Sequence, residues 1–158
     1  MNVIDSSGLL AIATRLQRLS DQFRKEGTLI YKAHGIDFEP KWFPVIYTLY
    51  RKPGLSVVEV AAEIGYAHPS TILLLKELEK AKLIKSKKDK HDERKRLLLL
   101  TQSGQHLVAE MQPVWKAMTA AIEELTSTPN NLMKAIEEVE AKFEEKSFLT
   151  RTRARLKE

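Results

Sequence analysis

The chain has 158 residues, 43% of them hydrophobic and 30% charged, with a formal net charge of +5. That is enough apolar material for a packed core and excludes wholesale disorder. Six glycines and six prolines are too few for a repeatedly turning β-sandwich or barrel, and the lack of cysteine excludes disulfides, Cys-ligated zinc and thiol redox chemistry.

The first residues, MNVIDSSGLLAIATRLQRL, have no early basic cluster, and Asp5, Arg15 and Arg18 interrupt the apolar positions. They read as neither signal peptide nor membrane span, which predicts a cytoplasmic protein with no membrane partner. Leu9, Ile12, Leu16, Leu19, Phe23 and Ile30 recur at helical spacing, so a long amphipathic helix is predicted, with Asp5, Ser6 and Ser7 as its capping residues. Glu39-Pro40 opens a second helix with Trp42, Ile46 and Leu49 as its buried stripe and Pro44 making its first turn irregular. Ser56 and Glu59 have the spacing of a capping box, and Gly65 is placed to end the short helix that follows. His68-Pro69-Ser70-Thr71 then starts another helix to about Lys80, with His68 read as a cap. Two short helices joined by a Gly-containing turn predict a helix-turn-helix.

Leu83–Lys88 and Lys95–Thr101 are strand-like runs around a polar loop and predict a β-hairpin. Thr101 caps a long helix carrying Leu107, Met111, Val114, Met118, Ile122 and Leu125, with a kink expected at Pro113. Ser127-Thr128-Pro129 is read as the cap of a last helix with the stripe Leu132, Ile136, Val139 and Phe143. Arg151, Arg153, Arg155 and Lys157 read as a solvated tail. The apolar stripes of the first and the last two helices exceed what one small domain covers, so they predict a homodimer.

Charge is concentrated in one place. From Lys80 to Arg96 there are nine basic and three acidic residues, while the rest of the chain is net −1. A cluster of this kind is rewarded by a polyanion through counterion release.

Helix, helix, helix-turn-helix, β-hairpin, long helix and helix is an order that resembles the MarR family of winged-helix regulators. The most specific likeness is KDKHDERKRLLLLTQSG, Lys88 to Gly104, which is similar to that family's wing through Asp89, Asp92, Arg94, Leu100, Thr101 and Gly104. Leu78-Glu79-Lys80 followed by Leu83-Ile84 resembles the end of its recognition helix and the start of the wing. The resemblance implies a mainly α fold with a small β-hairpin wing, a winged helix-turn-helix at 36–101, and dimerisation helices at 1–35 and 102–158. It also implies a transcriptional regulator whose partners are double-stranded DNA and a second copy of itself. The second helix of the motif would enter the major groove, and Arg94 the minor groove, with Asp92 bracing it. Ser70, Thr71, Ile72, Leu73 and Lys76 are the helix residues so implied; Lys85, Lys87, Lys88 and Arg96 add to the wing. Two departures stand out: Ile72 and Leu73 occupy positions that are commonly polar or basic in the family, and Lys82 replaces the glycine usual before the wing. Periodicity turns Thr71, Leu74, Leu75 and Leu78 to the core. A winged-helix protein–protein adaptor with weakened DNA reading is the alternative.

The resemblance further implies an effector pocket, for which Trp42, Tyr47 and Tyr50 are the residues suited to a small aromatic ligand. His34, His68, His91 and His106 show no metal-ligand spacing, and the chain has neither a phosphate-cradling glycine loop nor a nucleophile elbow. Neither enzyme activity, metal nor cofactor is expected.

Overall fold

A computed structural model describes residues 1–156. It is mainly helical with one antiparallel hairpin, and it divides into two compact units at Gln112/Pro113. Among the described residues no helix is long and apolar enough to cross a membrane.

The first unit opens with α1 (Val3–Ser6), a 3-10 turn (Gly8–Ala11) and α2 (Ile12–Ala33). The expected single helix is therefore broken, because Gly8 takes a left-handed φ of 61° and puts Leu9 in the tighter turn. The expected caps also act otherwise. Asn2 caps α1 by accepting the Asp5 N–H at 3.0 Å, and the Ser6 and Ser7 hydroxyls donate to the Val3 carbonyl. The Asp5 carboxylate holds the Arg18 guanidinium, which keeps its pKa below the ordinary value. In α2 only Gly27 and Tyr31 are buried, while Leu16, Leu19 and Phe23 stay exposed.

A second 3-10 turn (Pro40–Trp42) leads into α3 (Phe43–Arg51). This is the irregular start that prolines at 40 and 44 dictate, since neither has an N–H for the helical ladder. Ile46 and Leu49 are buried as expected, Val45 joins them, and Trp42 is only half-buried. Then come α4 (Val57–Ile64) and α5 (His68–Lys80). The capping box forms: the Glu59 carboxylate accepts the Ser56 N–H at 2.7 Å and the Ser56 hydroxyl accepts the Glu59 N–H. Gly65 closes α4 at φ 69°. His68 is not a cap; it is the first residue of α5, which follows Ala67 with no side-chain cap.

The hairpin pairs β1 (Ile84–Lys88) with β2 (Arg96–Leu100), Ile84 opposite Leu100 and Lys88 opposite Arg96. A single bridge from Leu55 to Leu98 adds a third backbone segment to β2. Val60, Thr71, Leu75, Leu78, Ile84, Leu98 and Leu100 are buried with the α3 residues, so helix-turn-helix and wing share one core.

The hairpin is anchored where it meets α6 (Gln102–Thr126). The Thr101 hydroxyl donates to the Lys82 carbonyl at 2.7 Å and accepts the Gly104 N–H at 3.0 Å. A Cβ on Gly104 would lie 2.2 Å from the Leu83 carbonyl oxygen, so only glycine allows this approach. Lys82 itself adopts φ 58°. The turn keeps the left-handed geometry that glycine would take freely, with lysine bearing the strain.

The second unit, from Pro113 on, contains the rest of α6, α7 (Leu132–Glu145) and α8 (Phe148–Arg155). Asn131, not Ser127 or Thr128, caps α7 by accepting the Lys134 N–H. The supposed solvated tail is helical: Ser147 caps α8, and Arg151 donates to the Lys146 carbonyl just past α7 and to the Lys142 carbonyl, which also accepts the Lys146 N–H. Lys157 lies outside the described residues. No residue of α7 or α8 is buried.

Candidate nucleic-acid interface

α5 presents a face fixed by its own burial pattern. Thr71, Leu75 and Leu78 are in the core and Leu74 is half-buried, while Ser70, Leu73 and Lys76 are exposed, as are Glu77, Glu79 and Lys80 toward the end of the helix. Thr71 is therefore removed from the candidate DNA contacts: it is fully buried, and its hydroxyl donates to the Ala67 carbonyl one turn back. Ile72 is half-buried and shares its surface between solvent and the domain. Leu73 is 63% exposed.

One turn past Leu73, α5 is tied to the segment before α3. The Glu77 carboxylate accepts the Trp42 indole N–H at 3.0 Å and the Lys41 ammonium at 2.8 Å. Lys41 foremost, then Trp42, hold the Glu77 pKa below its ordinary value, and Glu77 raises that of Lys41. Sequence spacing could not find this group, because its members are 35 and 36 positions apart and meet only through the fold.

The wing is built differently. Two of its three acidic residues are taken up by the loop backbone: Asp89 accepts the His91 N–H at 2.8 Å and Asp92 accepts the Arg94 N–H at 3.0 Å. These are two Asx-type turns, closed by Asp89 N–H to the Lys95 carbonyl and Lys95 N–H to the Asp92 carbonyl. Asp92 thus braces the backbone of Arg94 rather than its guanidinium, which corrects the expected role. Among the described residues Lys85, Lys87, Lys88 and Arg94 make no ion pair. Lys85 and Lys87 share one face of β1, and Lys88 faces Arg96 directly across the ladder, a like-charge pairing that is unfavourable on its own. Arg96 donates to the Ser86 hydroxyl at 3.0 Å. Lys90 and Lys95, also exposed, extend the cluster beyond the residues singled out from sequence.

The aromatic residues divide into two groups. Trp42 packs edge-on against Phe38, at 5.9 Å between centroids, and donates to Glu77. Tyr47 stacks on Phe43 at 5.1 Å, and the Tyr50 hydroxyl accepts the Gln112 amide at 2.8 Å. Tyr47 and Tyr50 therefore share a partly exposed face of α3, and Trp42 is engaged elsewhere. No cluster of metal-ligating side chains occurs among the described residues.

Residues 34–95, from the end of α2 through the helix-turn-helix to the wing tip, match the profile of the MarR family. Over that segment the chain is similar to the winged helix of the MarR family of transcriptional regulators. No curated protein matches it in sequence. Solved structures match its fold over most of their length. The transcriptional repressor CouR, bound to a 23-mer DNA duplex, is 22% identical, with 86% of this chain and 95% of that one covered at a TM-score of 0.65. The PcaV transcriptional regulator from Streptomyces coelicolor, in complex with its natural ligand, is 16% identical, with 92% and 97% covered at 0.64. A MarR/EmrR family transcriptional regulator from Acinetobacter sp. ADP1 is 15% identical, with 92% and 100% covered at 0.72. The mainly α fold with a two-stranded wing is as the sequence predicts.

Proposed function

We propose that this protein is a homodimeric regulator of the MarR family that binds double-stranded DNA. The observation that carries the reading is the wing. It gathers cations on a short hairpin, spends Asp89 and Asp92 on backbone N–H groups, and sets Lys88 opposite Arg96. A polyanion turns that repulsion into attraction. Arg94 at the wing tip suits the negative potential of a narrow minor groove; Lys85, Lys87, Lys88 and Arg96 suit phosphates; Ser70, Leu73 and Lys76, with part of Ile72, face the major groove. Residues 36–101 are the DNA-binding domain in this reading. The segments 1–35 and 102–158 supply the dimer, supported by the exposed apolar residues Leu16, Leu19 and Phe23 on α2 and Val139 and Phe143 on α7.

Titration against mixed-sequence duplexes at several salt concentrations tests the DNA reading. The logarithm of affinity should fall linearly with the logarithm of salt, by about 0.9 per phosphate contacted. Affinity that is flat with salt, or no binding at low salt, overturns it in favour of the protein–protein adaptor that the exposed Leu73 also fits. Sedimentation of a dilute sample as a folded monomer overturns the dimer. A small aromatic effector, with Tyr47 and Tyr50 as its contacts, should raise the melting temperature and weaken DNA binding together, by linkage.

A further inference from the structure

We infer that Leu73 is a specificity-determining residue that reads the 5-methyl group of a thymine in the major groove; this rests on the DNA-binding reading above. Leu73 stands in the middle of the outward face of α5, one turn from Ser70 on one side and from Lys76 on the other. It is 63% exposed, although the same helix has Leu75 and Leu78 to fill the core. Its own domain therefore gives that side chain little burial. Base edges in the major groove offer hydrogen-bond donors and acceptors, which an isobutyl group cannot use, and one apolar group, the thymine methyl. Ser70 bonds either donor or acceptor edges and discriminates little by itself, and Lys76 favours guanine. Leu73 is then the residue of this face that separates T·A from its alternatives. Ile72 is half-buried, so its loss would mix reading with packing.

The test removes one methyl at a time. Preferred duplexes are first selected from a random pool with the full chain. Each thymine in the bound site is then replaced singly by deoxyuridine, which keeps every hydrogen-bonding group and lacks only the 5-methyl. Burying one methyl against Leu73 predicts about a fourfold loss of affinity at one thymine of the site. With Leu73→Ala the same replacement should change affinity less than about twofold. Circular dichroism of that variant should match the parent, since the side chain is exposed. If the duplexes bind but no thymine responds, or parent and Leu73→Ala respond alike everywhere, the assignment of Leu73 is wrong and DNA binding stands. If the full chain binds no duplex at low salt, the DNA-binding reading falls, and the thymine contact with it.

Discussion

α5 and the wing lie in one domain and share one core, yet they meet the outside with opposite chemistry. The exposed face of α5 carries Ser70, Leu73, Lys76 and Lys80 beside Glu77, whose charge is met by Lys41, and its orientation is set by the buried Thr71, Leu75 and Leu78 and by the Glu77 anchor. The wing carries charge on both faces and little of its own core; its shape comes from two Asx turns, the Thr101 bonds and the Gly104 contact. A face that is rigidly held and centred on an apolar side chain can discriminate, because a wrong base leaves shape and methyl contacts unmade. A cationic hairpin supplies affinity for any duplex, since phosphates carry no sequence. The same difference explains where each region is fragile: α5 through packing, the wing through backbone geometry.

The largest break should come at the wing's foot. Gly104→Ala forces a methyl onto the Leu83 carbonyl oxygen at 2.2 Å, where backbone and not a flexible side chain must yield. Overpacking of this kind, less the helix propensity gained by alanine, should cost about 2–3 kcal/mol of stability. Urea unfolding measures it, and hydrogen exchange should show β1 and β2 losing protection ahead of α5.

Next in size are the DNA contacts. Arg94→Ala should cost about 1–3 kcal/mol of binding, most on sites with a narrow A/T-rich flank. Lys85→Ala, Lys87→Ala and Lys88→Ala should each weaken all sequences alike and flatten the salt slope by about one unit. If Arg94→Ala binds every duplex as the parent does, the division of labour drawn here between wing and helix is wrong. Filter binding or fluorescence anisotropy at several salt concentrations separates these outcomes.

How much of this was legible in the sequence depends on the range of the chemistry involved. The capping box at Ser56 and Glu59, the left-handed Gly65 and the Thr101–Gly104 motif all stand as read, because each is decided within three or four residues. The α7 cap is not decided locally, because Ser127, Thr128 and Asn131 are all competent acceptors and the helix starts after the last of them. α8 has no clear local signal because the five basic or polar residues of FLTRTRAR hide a helix whose support, Arg151 on the end of α7, is tertiary. Periodicity alone turns Thr71 to the core, and a hydroxyl satisfied by the carbonyl four residues back needs no outside partner, so the family position does not make it a contact. The Glu77 anchor had no local signature at all.

A smaller change sharpens the comparison by relieving the wing. Lys82 holds φ 58°, where a side chain is strained and glycine is not. Lys82→Gly removes roughly 1–2 kcal/mol of that strain but gives back roughly 0.5–1 kcal/mol through the freer unfolded chain. A net gain of up to about 1 kcal/mol should appear as a rise of a few degrees in melting temperature.

The smallest effect concerns the anchor of α5, because it is an exposed ion pair screened by water. The Glu77 carboxyl is held below its ordinary value of 4.5, chiefly by the Lys41 ammonium and then by the Trp42 N–H. A group with a depressed folded pKa contributes stability that is present above its unfolded value and is lost as pH falls through the folded one. The contribution should therefore be complete at neutral pH and disappear on acidification below about 4.5. Glu77→Gln keeps an acceptor for the indole N–H but removes the charge that Lys41 meets. Its stability should be slightly lower than the parent's at pH 7, and the gap should close as the parent's carboxylate is protonated. The Trp42 fluorescence should report the same titration in the parent and lose it in Glu77→Gln. Because Asp5 and Glu59 also have lowered pKa values, each with its own partners, their share of the acid limb should persist in the variant. An acid limb unchanged by Glu77→Gln, together with an indole signal that still titrates, would mean that α5 is held by its buried residues alone.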